Sequence, residues 1–198
     1  MTANHAAPRR ILIIEGHPDP SRERLCHALA ESYREGARNA GHELRTLILG
    51  DLDIPLLGGR SDWEAPASSA IHHWQDDLLW ADHVVLVFPL WLGDMPALVK
   101  AFLEQVLRPG FAFNPARMVS GGLLTGRSVR VVVTMGMPGW LYVTWFGAHS
   151  LRSLKRNILR FVGFGPVRAT LFGMVEGASA ARRRGWIDKM NRLGRLGR

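Results

Sequence analysis

Cysteine is nearly absent: the chain of 198 residues has one, Cys26. A single thiol cannot close an intramolecular disulfide, which fits a reducing cytoplasm. Cys26 falls on a predicted helix without a partner motif, so its loss should matter little. Long apolar runs are missing too. Nothing approaches the roughly 20 residues that span a bilayer, so no stable membrane insertion is expected. The start, MTANHAAPRR, has no apolar stretch behind its basic residues and does not read as a signal peptide. Acid is scarce, with 17 Asp and Glu against 25 Lys and Arg, a net charge of +8. Much of the excess comes late, from Arg152 through Arg198. Such a bias suits nucleic acid, an anionic membrane, phosphate-bearing ligands or a plain solvated surface. There is no helix-turn-helix, zinc spacing or RNA-binding strand signature, so no nucleic-acid role is expected.

What is present organises itself around VVLVFPLWLGDMPALVKAFLEQVL, Val84 to Leu107. The run Val84–Phe88 is short, continuous and β-branched, as in a strand buried on both faces. Leu98, Val99, Phe102, Leu103, Val106 and Leu107 then repeat at helical spacing, with Pro96 near the first turn. Between them, Pro89-Leu90-Trp91-Leu92-Gly93 offers an aromatic, a glycine and little charge. Ligands of open α/β sheets bind at the carboxyl ends of strands. This loop suits a flat, mostly apolar ligand, although many such loops bind nothing.

The rest alternates. RILIIE (Arg10–Glu15) reads as a strand, followed by the loop GHPDPSRER and a helix from about Arg24 to Ala40, stopped by Gly41. A helix start after a first strand is a candidate anion site. Ser21, Arg22, Arg24 and His17 supply donors there. Ser21 is equally readable as a helix cap, and the arginines as solvent-exposed. HELRTLIL (His42–Leu49) is the second strand, and Asp51–Pro66 is irregular. The segment Ser69–Asp82 is a helix whose His72, His73, Asp76 and Asp77 resemble a metal cluster. Neighbours on a helix diverge, so a solvated face is expected and no metal site is assigned. Arg108–Met118 is a loop with Phe111 and Phe113. SVRVVVTM (Ser128–Met135) is a strand ending in a second loop, Thr134-Met135-Gly136-Met137-Pro138-Gly139-Trp140-Leu141-Tyr142. Phe146–Phe161 reads as a helix, Val167–Gly173 as the fifth strand, and Ser179–Leu193 as a basic helix.

No linker or repeat divides this order, so residues 1–198 are expected to form a single domain. Its fold class is α/β, a doubly wound five-stranded parallel sheet in flavodoxin-like order 2-1-3-4-5 with helices on both faces. That order brings the loops after strands one, three and four to one end of the sheet.

The segments ILIIEGHPDPS, FPLWLGDMPALVKAFLEQVLRPGFAF, VVVTMGMPGWLY and RNILRFVGFG resemble the flavodoxin-like NAD(P)H:quinone oxidoreductase family. That family includes DT-diaphorases and bacterial NAD(P)H-dependent flavin oxidoreductases. The resemblance runs from Arg10 to Gly173. It implies a non-covalent flavin (FMN or FAD), NAD(P)H as co-substrate, and two-electron hydride transfer to quinone-like acceptors by a ping-pong mechanism. It also implies a homodimer with the active site at the interface. The alternative is a flavin-binding regulatory or ancillary subunit with little turnover.

Residue by residue, the resemblance places His17 beside the flavin phosphate. Ser21, Arg22, Arg24, Leu25 and Cys26 fall at the phosphate-binding start of the first helix, after a loop longer than the mammalian one. Pro89, Leu90, Trp91, Leu92 and Gly93 border the isoalloxazine ring. Thr134, Met135, Gly136 and Met137 form its second edge, with Met137 replacing a glycine. Tyr142 matches a tyrosine near the hydride-transfer face. His149 is the nearest match to the family's catalytic histidine, but stands one position further on. A second role, in the subunit interface with Arg152 and Arg156, is equally readable.

Overall fold

The computed structural model describes residues 7–117 and 121–198. Met118, at the end of the expected Arg108–Met118 loop, lies outside them. Five strands form one all-parallel sheet in the order β2-β1-β3-β4-β5. They are β1 (Arg10–Glu15), β2 (Glu43–Ile48), β3 (His83–Pro89), β4 (Ser128–Met135) and β5 (Val167–Gly173). The helices are α1 (Leu25–Asn39), α2 (Arg60–Glu64), α3 (Ser69–Trp80), α4 (Ala97–Val106), α5 (Gly139–Thr144), α6 (His149–Ser153) and α7 (Ala180–Arg195). None is long and apolar enough to cross a membrane.

Burial explains the strand order. β3 and β4 are buried at every residue, and β1 at all but its first. These are the continuous apolar runs, and they take the centre. β2 and β5 mix buried and open positions and take the edges. One face of the sheet packs Leu12, Ile14, Leu86 and Val131 with α3, α4 and the segment after β4. The other packs Ile11, Ile13, Val85 and Val132 with α1 and α7. Full burial of each such side chain contributes about 1.5–3 kcal/mol before entropy.

Glycine sets how closely α1 and α7 approach. A Cβ on Gly36 would stand 2.1 Å from Asn191 O, and one on Gly194 2.1 Å from Tyr33 O. Gly41 ends α1 with φ 81, its N–H bonding Arg38 O at 3.0 Å, while His42 N–H bonds Ala37 O at 3.1 Å. Ser68 and Ser179 cap α3 and α7 through their hydroxyls.

Two regions depart from the sequence expectation. Asp51–Pro66 contains the short α2, held by an Arg60–Glu64 ion pair. The single helix expected over Phe146–Phe161 is divided. Gly147 (φ 61) and Ala148 (φ 46) turn left-handed, α6 follows, and Leu154–Arg160 is π-helical. Glycine permits that break where an apolar stripe alone would have continued.

Candidate active site

β1, β3 and β4 end side by side, and their ladder continues one residue beyond the strands. Gly16 N–H donates to Val87 O at 2.7 Å, and Leu90 N–H to Thr134 O at 2.7 Å. The three following loops therefore share one root. A Cβ on Gly16 would lie 2.6 Å from Val99 Cγ2, so the chain leaves β1 pressed against α4.

The loop after β3 is a tight turn. Trp91 N–H bonds Asp94 O at 2.8 Å, and Asp94 N–H bonds Trp91 O at 2.9 Å. The central residues, Leu92 (φ 47) and Gly93 (φ 81), are both left-handed, as a type I′ turn requires. For leucine this costs about 1–2 kcal/mol. Leu92 recovers nothing by burial, since its side chain is fully exposed. Strain of this kind collects at functional sites. The turn consumes the N–H groups of Trp91 and Asp94 and not those of Leu92 and Gly93.

The loop after β1 meets this turn. His17 packs edge-on against Trp91, with ring centroids 5.7 Å apart and planes at 83°. His17 Nδ1 accepts the Asp19 N–H at 3.1 Å. Burial, before any other cause, holds its pKa below the ordinary histidine value. The ring is thus neutral and carries its proton on Nε2, as a donor. Asp19 shapes the remainder: one oxygen accepts Ser21 N–H at 2.8 Å and the other Arg24 Nε–H at 2.7 Å. These two bonds, in that order, hold its carboxyl below the usual range. The first N–H groups of α1, at Leu25 and Cys26, open beside it, as at any helix start.

Not every expected donor is free. Arg22 pairs with Asp51 at 3.1 Å, and Arg24 with Asp19 at 2.5 Å. Nearby carboxylates claim both guanidinium groups, which brace the loop. Cys26 also departs from expectation. Its side chain is buried and Sγ lies 3.3 Å from Thr134 Oγ1, joining α1 to the end of β4. Thr134 and Met135 are buried, and Gly136 is the first open position of the loop after β4. A Cβ there would meet only Glu176 Oε1, at 3.7 Å. Pro89 is buried in β3, Leu90 is half-buried, and Met137 is pinned where its carbonyl accepts Met174 N–H at 3.1 Å.

Tyr142, which the resemblance matches to a tyrosine near the hydride-transfer face, is 2% exposed. Its hydroxyl lies 2.7 Å from Ser150 Oγ and accepts Leu151 N–H at 3.3 Å. With Ser150 and Leu151 it packs behind Leu90, Asp94 and Met95. The phenol supports the β3 turn from beneath because the left-handed break at Ala148 folds α6 over it. His149 is exposed at the start of α6. Trp140, Trp145 and Phe146, on and just after α5, are exposed to 69%, 81% and 49%.

Sequence reasoning missed the support under the β1 loop. Glu15, 2% exposed, places one oxygen 2.5 Å from His27 Nδ1 and the other 2.5 Å from Arg34 Nη2. His27 Nε2 lies 3.1 Å from Asp19 O. The signal was available: an acid ends an apolar strand, and His27 and Arg34 stand seven apart on the facing helix. Asp77 also left its expected solvated face, being buried and 2.8 Å from Arg45. Among the described residues, His, Cys, Asp and Glu form no group able to hold a metal.

A cavity of about 600 Å³ lies on the flank of α4, lined by Trp63, Phe113 and Phe161 among others. It is separate from the three loops. Residues 9–192 match the family described as having a flavodoxin-like fold. The chain belongs to the flavodoxin-like family. The FMN-dependent NADH:quinone oxidoreductase of Nitratidesulfovibrio vulgaris strain DP4 is 28% identical over 197 residues, covering 87% of this flavodoxin-like chain and 92% of the relative. The rat NAD(P)H dehydrogenase (quinone) 1 is 28% identical over 184 residues, covering 80% of this chain and 66% of the rat protein. The solved NAD(P)H:quinone oxidoreductase of Methanothermobacter marburgensis shares the fold, with TM-score 0.81 and 21% identity over 96% of both chains.

Proposed function

We propose that this protein is a flavin-dependent NAD(P)H oxidoreductase that reduces quinone-like acceptors by two electrons. The observation that carries the reading is the meeting of three loops, after β1, β3 and β4, at one edge of the sheet. A strained exposed turn, an open glycine and a helix start share that end of the sheet. The names of the relatives, FMN-dependent NADH:quinone oxidoreductase among them, support FMN as the flavin.

The residues fit such a group. The N–H groups of Leu25 and Cys26, the Ser21 hydroxyl and His17 Nε2–H would hold its phosphate. The helix dipole adds about 0.3–1 kcal/mol, so the hydrogen bonds carry most of the affinity. The N–H groups of Leu92 and Gly93 would meet one ring edge, and Gly136 and Met137 the other. Donors fixed by the turn need no reorganisation as negative charge develops on the ring. A flavin held there would supply the redox chemistry, hydride transfer between NAD(P)H and the acceptor in two ping-pong halves. Trp91 walls the ring site, and Tyr142 positions the turn. His149, exposed at the start of α6, would supply an imidazole able to move a proton to or from the acceptor.

The exposed aromatics on and after α5 and the apolar cavity beside α4 offer the surface a homodimer would cover, with the site at the interface. One buried thiol and the resemblance favour a cytoplasmic enzyme. The test is the visible spectrum of the purified protein after FMN or FAD is added, followed by NADH or NADPH without oxygen. An oxidised-flavin spectrum that bleaches supports the reading and names the donor. Binding without bleaching favours the ancillary-subunit alternative, and no binding rejects the site.

A further inference from the structure

Charge is divided unevenly along the chain. Fifteen of the 17 Asp and Glu residues lie at or before Glu104, whereas 16 of the 25 Lys and Arg residues lie after it. Every ion pair among the described residues falls in the first part, the last being Lys100 with Glu104. Among those residues, no cation after Glu104 has a carboxylate partner. α7 gathers much of this charge. Arg182, Arg183, Arg184, Lys189, Arg192 and Arg195 are exposed on it, over a length of about 24 Å. Its other side, with Trp186, Ile187, Met190 and Leu193, packs onto α1 and the sheet. The acids nearest in the chain are Glu176, in the loop before α7, and Asp188 within it, both exposed.

Like charges gathered on one helix repel one another, and a polyanion is the partner they complement. The rest of the face selects among polyanions. A single-stranded nucleic acid would need open rings on which its bases stack. Here the rings are covered by cations: Arg182 Cζ lies 5.3 Å from the Trp186 ring centroid, and Lys189 Nζ 5.6 Å from that of buried Phe172. Exposed apolar side chains flank the helix in the chain instead, Met174 before it and Leu196 at its end, 42% and 37% exposed. Basic side chains accompanied by exposed apolar ones form the pattern that lies on an anionic bilayer.

We propose that the outer face of α7 docks reversibly on a membrane surface of anionic phospholipid. The contact is peripheral. The cations meet headgroup phosphates, Met174 and Leu196 reach toward the acyl boundary, and no helix crosses the bilayer. α7 covers the face of the sheet opposite the α4 cavity, so docking leaves free the surface offered to a second copy. The proposal is independent of the flavin reading, and its test reads binding alone.

The probe is a vesicle of phosphatidylcholine and phosphatidylglycerol, sedimented with the full chain at low salt. Vesicles of phosphatidylcholine alone are the control. Binding to the anionic vesicles only, released as salt is raised, is expected. The triple variant Arg184→Glu, Arg192→Glu, Arg195→Glu should lower the partition coefficient by about tenfold or more while keeping the wild-type circular dichroism. Leu196→Ser should weaken binding several-fold, and it decides the matter if the triple variant does not fold. Absence of binding to the anionic vesicles, equal binding to the neutral ones, or variants that bind like wild type would overturn the proposal. So would duplex DNA that holds the chain to higher salt than the vesicles do, since the face would then be a nucleic-acid surface.

Discussion

His27 Nδ1 lies 2.5 Å from Glu15 Oε2, with both side chains nearly inaccessible beneath the β1 loop. The same carboxylate holds Arg34, and His27 reaches on to Asp19 O. A chain of polar contacts thus joins the end of β1 to the loop that would receive a phosphate. Glu15→Gln keeps the shape and removes the charge that faces both His27 and Arg34. Breaking one partner of a buried pair costs about 3–5 kcal/mol. Urea denaturation should show a loss of that order, with flavin affinity falling alongside. An unchanged midpoint would refute the network's importance.

Gly136→Trp should abolish flavin binding while the fold survives, because nothing but the Glu176 carboxylate lies near its Cβ. Gly93→Trp should do the same at the other ring edge. At φ 81 it also costs about 1–2 kcal/mol in backbone strain. The absorbance near the flavin maximum and far-UV circular dichroism read the two effects separately. Two fully yellow, active variants would remove the site from this edge of the sheet.

The strands were the most legible part of the sequence. β1 and β4 fall on the residues that their apolar runs mark out, because central strands need apolar side chains on both faces. The order of the strands brought the three loops together before any coordinates did. Side-chain pairing was not legible. Nothing local says that Arg22 turns to Asp51 and Arg24 to Asp19, since the choice depends on which carboxylate the folded loop brings nearer. The burial of Tyr142 was not legible for a similar reason: it depends on Gly147 and Ala148 breaking a helix that periodicity alone extends.

Cys26 should resist thiol reagents in the native protein. Burial pushes its thiol pKa up to about 12, outweighing the opposing contact with Thr134. At pH 8 almost no thiolate forms, and little of the sulfur is accessible. Iodoacetamide should label it only after unfolding. Rapid native labelling would show that the α1–β4 junction opens.

Stability should fall in acid partly through His83. Burial first, then Arg9 and Arg130, drives its pKa from the ordinary 6.5 down to about 3. The unfolded chain therefore takes up a proton that the native chain refuses. This contribution is complete above pH 6.5, declines as pH falls below it, and levels off near pH 3. The slope is about 1.4 kcal/mol per pH unit at most, reduced by other groups. His83→Asn should flatten the urea midpoint profile in this window. A profile parallel to wild type would exclude His83 as the cause.

Tyr142→Phe separates support from chemistry. The hydroxyl contacts Ser150 Oγ and accepts the Leu151 N–H, and the ring backs the Leu90–Met95 turn. Removing it leaves a buried N–H without its acceptor, at a cost of about 1–3 kcal/mol. If the phenol only positions the turn, flavin affinity and stability fall together, while turnover of the flavin-saturated variant stays within a few-fold of wild type. The pH profile of turnover should also keep its shape, because no proton of Tyr142 takes part. His149→Ala provides the contrast. An exposed residue at the start of α6 should cost little stability, so a changed acid limb in its pH profile would report a proton moved by the imidazole. The reverse pattern, a shifted profile in Tyr142→Phe and none in His149→Ala, would return the tyrosine to the reacting face.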